Sequence, residues 1–308
     1  MDYRRYYGDG KNHIITSMVE HKATLNTCKY LAGELYSNND PTISLLGEKR
    51  KVDRGYLVSF VGVSPNGEVL VDDIKKEIQD NTALVSVIYV NNEVGTINDI
   101  KSIGELCIKN DIDFHSDLTQ AIGKMSINVH DLGIDYASCS AHKIYGPKGV
   151  GAAYLKSDDY GIKPITSFMH GGEQESGIRA GTLAVHNIVG FGKAAEIALR
   201  DQKKDQKMME HLNCSLMEGL STINGIRLTI NPEKRVSGII SVVVERKDFN
   251  NERFLKAVGD RLALSTGSAC SAGEPSYVIE ALGLGNVVSK GWGGLAKLLG
   301  GVGNVASS

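Results

Sequence analysis

The sequence is short of the features that mark several specialised classes of protein. Its 34 basic and 36 acidic residues leave a net charge of −2, which gives no electrostatic reason to expect nucleic acid or an anionic membrane as a partner. No stretch approaches the roughly 18 consecutive apolar residues of a transmembrane helix. Residues 1–12 are polar and lack the apolar centre of a secretory signal peptide, so we expect no such signal.

Cysteine is also scarce. The five cysteines are odd in number and far apart, and none of them forms a Cys-x-x-Cys pair. This spacing argues against a disulfide framework and a zinc site, so we expect no bound metal and a reducing compartment. Most unpaired cysteines are small buried hydrophobes, and we expect Cys28 and Cys107, which fall within helical patterns, to lie in the core.

The remaining composition, with 42% hydrophobic and 23% charged residues, is typical of a globular protein with one large or two modest domains. In the first half of the chain, apolar runs bounded by turn residues alternate with segments of helical period. Strands are predicted at residues 13–17, 57–63, 83–90, 112–115 and 134–137, and helices at residues 20–31, 71–78 and 100–109. This alternation predicts an α/β fold with a mostly parallel sheet.

The second half of the chain has a different organisation. A helical pattern from residue 185 to about residue 220 is expected to lead into a smaller domain, with strands at residues 226–230 and 239–244. Eight glycines then fall between residues 283 and 303, and because glycine at that density disfavours regular structure, we expect the tail to lie outside the fold. These patterns divide the chain into a large domain, a small domain and a tail: residues 1–195, 196–286 and 287–308.

One stretch gives the clearest indication of chemistry, residues 138–151, with the sequence SCSAHKIYGPKGVG. Lys143 lies there between His142 and a turn rich in glycine and proline, where the backbone can approach a ligand closely. A lysine that is partly desolvated in such a place has a lowered pKa and can form a Schiff base with a carbonyl compound. The alternative is a surface lysine beside a β-turn.

Further polar residues follow predicted strands, namely Asn92, Asp117 and Ser140. In a parallel sheet the carboxyl ends of the strands share one edge, where ligands bind. Asp117 would suit a protonated pyridine nitrogen, because a nearby anion keeps such a ring an electron sink, and Gln120 would then reach the ring oxygen. The alternative for Asp117 is a solvated cap. Ser140 and His142 offer hydrogen-bond donors for a phosphate.

Three other residues each have a functional and a simpler interpretation. His21 is either a ring that stacks on a planar cofactor and transfers protons or an exposed histidine at a helix end. Thr182 follows a glycine-rich loop and is either a phosphate ligand or a helix N-cap. Cys270 lies in STGSACSAGEPS, a loop of small residues that favours an accessible, reactive thiol, and the other four cysteines lack such a setting.

Six blocks of sequence, taken together, resemble the cysteine desulfurases, which are pyridoxal-phosphate enzymes of the class V aminotransferase branch. The blocks occur in family order between about His13 and Gly283: HIITSMVEHKATLNTCKYL, VSVIYVNNEVG, FHSDLTQAIGK, SCSAHKIYGPKGVGAAYL, GIRAGTLAVHNIVGFGKA and STGSACSAGEPSYVIEALG. The resemblance implies fold type I of the pyridoxal-phosphate-dependent transferases. Its large domain has a mostly parallel sheet, its smaller C-terminal domain is α/β, and we expect both to be incomplete here.

The resemblance also implies how the cofactor, pyridoxal 5'-phosphate, would be held. Lys143 would form a Schiff base with it and move the α-proton of the substrate, and His21 would stack on its ring and assist proton transfer. Asp117 would pair with the ring nitrogen and Gln120 with the phenolate oxygen. Asn92 would contact the ring oxygen or the substrate carboxylate.

The phosphate and the sulfur would be handled by a second group of residues. Ser140 and His142 would hold the phosphate, and Thr182 would reach the phosphate in a partner subunit, which implies a homodimer. Cys270 would attack the sulfur of L-cysteine, become a persulfide and release alanine. The sulfur would pass to an iron-sulfur scaffold or another acceptor protein, with only a transient iron-sulfur contact at Cys270. The expected location is the cytoplasm, or the mitochondrial matrix in a eukaryote.

The sequence departs from the family pattern at both ends. The family's Ser-Ile-Arg-Phe segment, whose arginine binds the substrate carboxylate, is expected after about Gly285, but no arginine follows Arg261. The N-terminal Ala-Thr phosphate-binding turn is also expected to be missing. Two alternatives therefore stand beside an active desulfurase: a catalytically impaired fragment of such an enzyme, and a selenocysteine lyase.

Overall fold

A computed structural model of the chain describes residues 4, 8–34, 53–161, 165–246, 249–262, 264–265, 276–284 and 295–299. Within these residues the first half of the chain builds one six-stranded sheet with helices between its strands. The strands are β1 (His13–Ser17), β2 (Leu57–Val61), β3 (Thr82–Ser86), β4 (Asp113–Asp117), β5 (Tyr136–Ser140) and β6 (Gly151–Leu155). The helices are α1 (Lys22–Leu31), α2 (Val71–Glu77) and α3 (Ile100–Lys109).

The strands of this sheet lie in the order β2-β1-β3-β4-β5-β6. Neighbouring strands are parallel from β2 to β5, and β6 pairs with β5 in the antiparallel direction. The predicted α/β class and mostly parallel sheet are therefore confirmed. As a consequence, the carboxyl ends of β1, β3, β4 and β5 meet at one edge of the sheet.

Strand β1 lies inside the sheet, and all five of its residues are buried. Ile14 and Ile15 pack into the core, and Thr16 satisfies its buried hydroxyl by donating a hydrogen bond of 3.0 Å to the Ser86 carbonyl. A strand that lies inside a sheet and is covered on both faces is buried along its whole length, its polar residues included. The sequence predicts this strand at the bounds that the structure shows.

Helix α3 shows how the connections are fixed. Asp99 accepts a hydrogen bond from the Ser102 amide at 3.1 Å and so caps the first turn. Ile100, Ile103 and Cys107 are buried at helical spacing, so one face of the helix covers the sheet. The helix ends at Lys109, as the sequence predicts.

The second half of the chain forms a long helix and a smaller, antiparallel sheet of order β7-β8-β10-β9. Its strands are β7 (Ile226–Leu228), β8 (Ile239–Val244), β9 (Leu264–Ser265) and β10 (Leu295–Leu299). The helices are α4 (Val185–Ser221), α5 (Asn251–Val258) and α6 (Tyr277–Ala281).

Strand β10 corrects one expectation. The glycine-rich tail was expected to lie outside the fold, but residues 295–299 pair with β8 and with β9. The physical reason is that this short run, LAKLL, carries no glycine and supplies the strand that lies between β8 and β9 in the sheet. Glycine content averaged over the tail concealed a five-residue strand.

Several strand boundaries also differ from the predictions: β2 ends at Val61 and not at residue 63, β4 covers residues 113–117 and not 112–115, and β7 ends at Leu228 and not at residue 230. Strand β3 ends at Ser86, although the apolar run continues to residue 90. The residues after Ser86 leave the regular ladder, but the amides of Val87 and Tyr89 still donate hydrogen bonds to carbonyls of β4. Strand β5 begins at Tyr136 and includes the polar residues up to Ser140. Among the residues described, no helix is long and apolar enough to span a membrane.

Candidate active site

The residues singled out by their position after strands do gather at the carboxyl edge of the first sheet. His21 follows β1, Asn92 follows β3, Asp117 ends β4, and Lys143 follows β5. These four strands are adjacent and parallel, so side chains from separate parts of the sequence share one edge. The predicted convergence of Asn92, Asp117 and the segment with Ser140 and Lys143 is confirmed at the level of the sheet, and the structure adds His21 to the same edge.

Asp117 is a buried carboxylate with a defined orientation. Its side chain is 6% exposed, and Oδ1 accepts a hydrogen bond of 2.9 Å from the Thr119 amide. Gln120, in the turn that follows, is equally buried, and its Oε1 accepts from the Lys124 ammonium. A carboxylate fixed in this way at a strand end is suited to a cationic group of a ligand.

Lys143 lies on a one-turn 3-10 helix, Ala141–Ile144, which starts directly after β5. Ala141 and Ile144 are buried and fix this turn to the core, while His142 and Lys143 are exposed. Tyr145 ends the turn in the left-handed conformation, with φ of 64°. Lys143 is therefore not desolvated as the sequence predicts, because the turn holds it on the surface, and its amine is accessible from the strand edge.

Positive charges surround His142. Partial burial lowers its pKa, and so do the charges of Lys143, Lys148 and His21. His21, which follows β1, is therefore close enough to His142, which follows β5, to repel its proton. Together these groups define a basic cluster, made of His21, His142, Lys143 and Lys148, whose lysine ammonium groups and ring N–H donors are suited to an anion.

His21 caps α1 rather than lying free at the helix end. Its Nδ1 accepts a hydrogen bond of 3.2 Å from the Ala23 amide, and the side chain is half-buried. The cap fixes the ring beside the strand edge. The stacking role of His21 stays a prediction.

Asn92 belongs to a tightly bonded loop after β3. The neighbouring Asn91 organises this loop: its Oδ1 accepts from the amides of Glu93 and Val94, and its Nδ2 donates to the Val19 carbonyl at 2.9 Å. The loop is thus tied to the segment that carries His21. Asn92 itself is half-buried at the same edge.

Ser140 and Thr182 occupy different surroundings. Ser140 ends β5 and is half-buried, opposite Gly151 in β6. Gly151 is required there, because a Cβ at this position would lie 2.4 Å from the Cys139 carbonyl oxygen. Thr182 is exposed, and α4 begins later with Ala184 at its N-cap, so the N-cap interpretation of Thr182 is wrong. Its role toward a partner subunit's phosphate stays a prediction.

Cys270 lies outside the described residues, so its distance from Lys143 is not part of the geometry above. Cys28 and Cys107 are buried, as expected, and burial raises the pKa of their thiols to about 11 and about 12. Burial also raises the pKa of Cys139, which is half-buried. Cys214 is exposed on α4, so a test of Cys270 has to distinguish between these two thiols.

Sequence reasoning missed Glu20, the residue before His21. Its side chain is fully buried; Oε1 accepts hydrogen bonds from Ser17 Oγ at 2.6 Å and from the Ile88 amide at 2.8 Å, so this carboxyl joins the chain after β1 to the chain after β3. Burial raises its pKa to about 8, and the charge of Asp117 contributes in the same direction. An acidic residue soon after a buried strand, in the sequence Met18-Val19-Glu20, was the signal available in the sequence.

His115, in the middle of β4, was also missed. Its Nδ1 lies 2.8 Å from Ser86 Oγ and its Nε2 lies 3.2 Å from Ser138 Oγ, so the ring bridges β3 and β5 across the sheet. Burial lowers its pKa, although the charge of Asp117 opposes the shift. His115 lies two residues before Asp117 on the same face of the strand, and this alternation was visible in the sequence.

With this edge defined, the family can be stated. The chain belongs to the class-V aminotransferase family, whose model matches residues 43–289. It is 42% identical over 287 residues to the cysteine desulfurase IscS of Shewanella frigidimarina, covering 91% of this chain and 63% of that protein. It is 40% identical over 280 residues to the cysteine desulfurase IscS of Plasmodium falciparum, covering 89% of this chain and 46% of that protein. The chain thus spans less than two thirds of the length of these relatives.

Solved structures agree with this assignment. A NifS-like protein has a TM-score of 0.78 and 30% identity, covering 96% of this chain and 72% of its own. DndA from Streptomyces lividans has a TM-score of 0.76 and 29% identity, covering 96% and 77%. The structure of SspA in complex with cysteine has a TM-score of 0.69 and 30% identity, covering 94% and 73%. These similarities confirm the fold and the resemblance drawn from the six sequence blocks.

Proposed function

We propose that this chain is a pyridoxal-phosphate-dependent cysteine desulfurase, which converts L-cysteine to L-alanine and carries the sulfur as a persulfide on Cys270. The observation that supports it best is the pairing, at one strand edge, of the buried carboxylate of Asp117 with the accessible amine of Lys143. The relatives named above carry the same activity in their names. SspA, a solved relative in complex with cysteine, supports L-cysteine as the substrate.

The donor set at this edge fits pyridoxal phosphate. The cofactor needs an anion at its ring nitrogen, donors at its ring oxygen, positive groups at its phosphate and an amine at its aldehyde carbon. Asp117 supplies the anion and Gln120 the amide at the ring oxygen. The remaining requirements are met by Ser140 and by the basic cluster, with Lys143 as the attaching amine.

When bound, the cofactor supplies an electron sink that stabilises negative charge on the α-carbon of the substrate. The protein's own groups then perform the remaining tasks. Asp117 would keep the ring nitrogen protonated, and His21, fixed by its bond to the Ala23 amide, would pack on the ring. Lys143 Nζ carries the α-proton, with assistance from His21. Asn92 orients the substrate carboxylate.

The sulfur step needs no external oxidant. The thiolate of Cys270 attacks the sulfur of L-cysteine, and an S–S bond forms while the C–S bond of the substrate breaks. The electron pair of the broken bond stays with the carbon fragment, which takes up protons and leaves as alanine. The product on the protein is a persulfide, which an iron-sulfur scaffold or another acceptor protein removes.

The active form is a homodimer. An exposed apolar surface follows the first sheet, with Phe168 exposed by 94% and Val185 and Val189 by 65% each. Apolar side chains exposed to this degree on a monomer are typical of a protein interface. Thr182 lies in the same segment, which supports its proposed role at the partner subunit's phosphate.

The decisive experiment adds pyridoxal phosphate to the purified chain. We expect an absorbance band of lysine-bound cofactor, sulfide release from L-cysteine in the presence of a thiol reductant, and a dimeric mass by light scattering. Lys143→Ala should abolish the band, whereas Lys101→Ala, at an exposed lysine of α3, should retain it. Cys270→Ser should retain the band and lose sulfide release, and Cys214→Ser should retain both.

Two outcomes favour the alternatives. A wild-type chain that binds the cofactor but releases no sulfide is an impaired member of the family. A chain that turns over L-selenocysteine and leaves L-cysteine unchanged is a selenocysteine lyase. A band that survives Lys143→Ala unchanged contradicts the assignment of the lysine.

A further inference from the structure

Two hydrogen bonds attach the start of α6 to the edge of the first sheet. Ser276 Oγ donates to Glu93 Oε2, and Tyr277 Oη donates to the Glu20 carbonyl at 2.7 Å. Both contacts join residues more than 180 positions apart in the sequence. They belong neither to a helix ladder nor to a sheet ladder, so they are specific tertiary attachments.

The two acceptors lie directly beside proposed site residues. Glu93 follows Asn92, and Glu20 precedes His21. Ser276 also caps α6 by accepting from the Ile279 amide at 3.3 Å, so its hydroxyl joins the helix start to the loop after β3. Val278 and Ile279, which follow, are buried in the same apolar cluster as the first sheet. The beginning of α6 is therefore fixed against the candidate active site.

This attachment limits where the preceding chain can go. Residues 266–275 connect β9, which belongs to the second sheet, with Ser276 at the edge of the first sheet. Cys270 is six positions before Ser276, and an extended chain spans at most about 3.6 Å per residue, which limits Cys270 to within about 22 Å of Ser276. The thiol is thus joined, through the six positions to Ser276, to a helix start that is attached to the residues next to Asn92 and His21.

We propose that Ser276 and Tyr277 are positioning residues for sulfur transfer, which hold the carboxyl end of the thiol-bearing segment at the cofactor edge through Glu93 and the Glu20 carbonyl. The proposal rests on the proposed desulfurase function. It assigns these residues no contact with the substrate. They act by restricting the volume that the thiol explores, which raises its effective concentration at the substrate sulfur.

The test separates cofactor binding from sulfur transfer. Ser276→Ala and Tyr277→Phe each remove one hydrogen bond, and the double variant removes both. We expect the double variant to bind pyridoxal phosphate within about twofold of wild type, while the rate of persulfide formation on Cys270 falls by about tenfold or more. Persulfide is located by mass spectrometry of the Cys270 peptide, so that the exposed Cys214 does not contribute.

Controls distinguish a positioning role from general damage. Tyr160→Phe makes the same change at a tyrosine that is 89% exposed and should match wild type in both measurements. Ser276→Thr keeps the hydroxyl, so it should retain most of the rate of persulfide formation that Ser276→Ala loses. Amide hydrogen exchange on the chain without cofactor, which needs no turnover, should show faster exchange in residues 277–282 of the double variant alone.

Any of the following results would overturn the proposal. Persulfide formation within twofold of wild type in the double variant shows that the attachment does not position the thiol. Parallel loss of cofactor binding and persulfide shows that the two residues only support the cofactor edge. A wild-type chain that forms neither alanine nor persulfide refutes the desulfurase function and the positioning role with it, whereas an active wild type with an equally active double variant refutes the positioning role alone.

Discussion

Glu20 is a buried acid that favours its neutral form, and this makes stability depend on pH at a single residue. Its folded-state pKa is raised to about 8, chiefly by burial, from an ordinary value of 4.5. A raised pKa contributes stability that is fully present below pH 4.5 and is lost as the pH rises toward 8, because the unfolded chain releases the proton first. The upper limit of this loss is roughly 5 kcal/mol.

We expect Glu20→Gln to remove this dependence, because glutamine stays neutral at every pH. The free energy of unfolding of the variant, measured with urea on the chain without cofactor, should rise relative to wild type between pH 5 and pH 8. Glu105→Gln, at an exposed position of α3, should run parallel to wild type over the same range. If the free energy of unfolding of Glu20→Gln changed with pH in parallel with wild type over this range, Glu20 would be ionised in the folded protein.

The residues that sequence reasoning could find are those that bear recognisable chemistry at a strand end. Lys143 and Asp117 were found in this way, and the structure gathers them at one edge. Glu20 and His115 were missed because their importance depends on burial and on partners 23 to 68 positions away, which no local pattern reveals. The role of Cys270 is inferred from composition and resemblance, and it stays a prediction.

At the scale of the element, one glycine sets how closely α3 approaches the chain that leads into β5. A Cβ at Gly104 would lie 2.0 Å from the Leu132 carbonyl oxygen, which belongs to the backbone and cannot move independently. Gly104→Ala must therefore push the helix away from the turn before β5. We expect a loss of at least about 2 kcal/mol in the free energy of unfolding, measured with urea.

The same substitution elsewhere should have the opposite sign. Gly219 lies in α4, and a Cβ there would meet no atom within 4 Å. Gly219→Ala is expected to gain up to about 1 kcal/mol, since alanine has the higher helix propensity. If both variants lost stability equally, the close approach at Gly104 would not be the cause.

Elements with one clear periodicity were predicted well, and elements that depend on context were not. Helix α3 and strand β8 were predicted at their observed bounds, because each has an uninterrupted pattern. Strand β10 was missed because a five-residue run does not predict a strand by itself. It is stabilised by pairing with β8 on one side and β9 on the other. The end of β3 was predicted wrongly because a hydrophobic run indicates burial and does not indicate where the hydrogen bonds between strands end.

At the scale of the whole molecule, the two halves of the chain share one apolar cluster, while Ile240 and Val242 of β8 form a second cluster against α4. Ile230, Val243, Val278 and Ile279 come from the second half of the chain, yet they pack in the same apolar cluster as Phe114 and other residues of the first sheet. Backbone hydrogen bonds strengthen the connection: the Ile97 amide donates to the Lys234 carbonyl, and the Val236 amide donates to the Gly95 carbonyl, each at 2.9 Å.

Arg235 adds a buried side-chain link within this junction. Its Nη1 donates to the Ile239 carbonyl at 2.7 Å, and its Nη2 donates to Asn213 Oδ1 in α4 at 2.8 Å. Burial lowers the pKa of this guanidinium. The buried guanidinium thus joins the start of β8 to α4. The backbone of Arg235 also forms a bridge with Thr96 in the loop after β3, so we expect the three elements to move together.

A shared core predicts that the described parts of the chain unfold as one unit. Scanning calorimetry of wild type should show one transition, with equal calorimetric and van 't Hoff enthalpies. Ile279→Ala, in α6, should move this entire transition down, with a loss of about 2–5 kcal/mol, because the side chain is buried in the common cluster. Ile223→Ala, at a side chain that is 50% exposed, should move this transition much less.

Two separate peaks would contradict this prediction, and so would an Ile279→Ala variant in which only a minor peak moves. Either result would show that the small sheet and α6 form an independent unit. The hydrogen bonds of Ser276 and Tyr277 to Glu93 and Glu20 would then join two units that unfold separately.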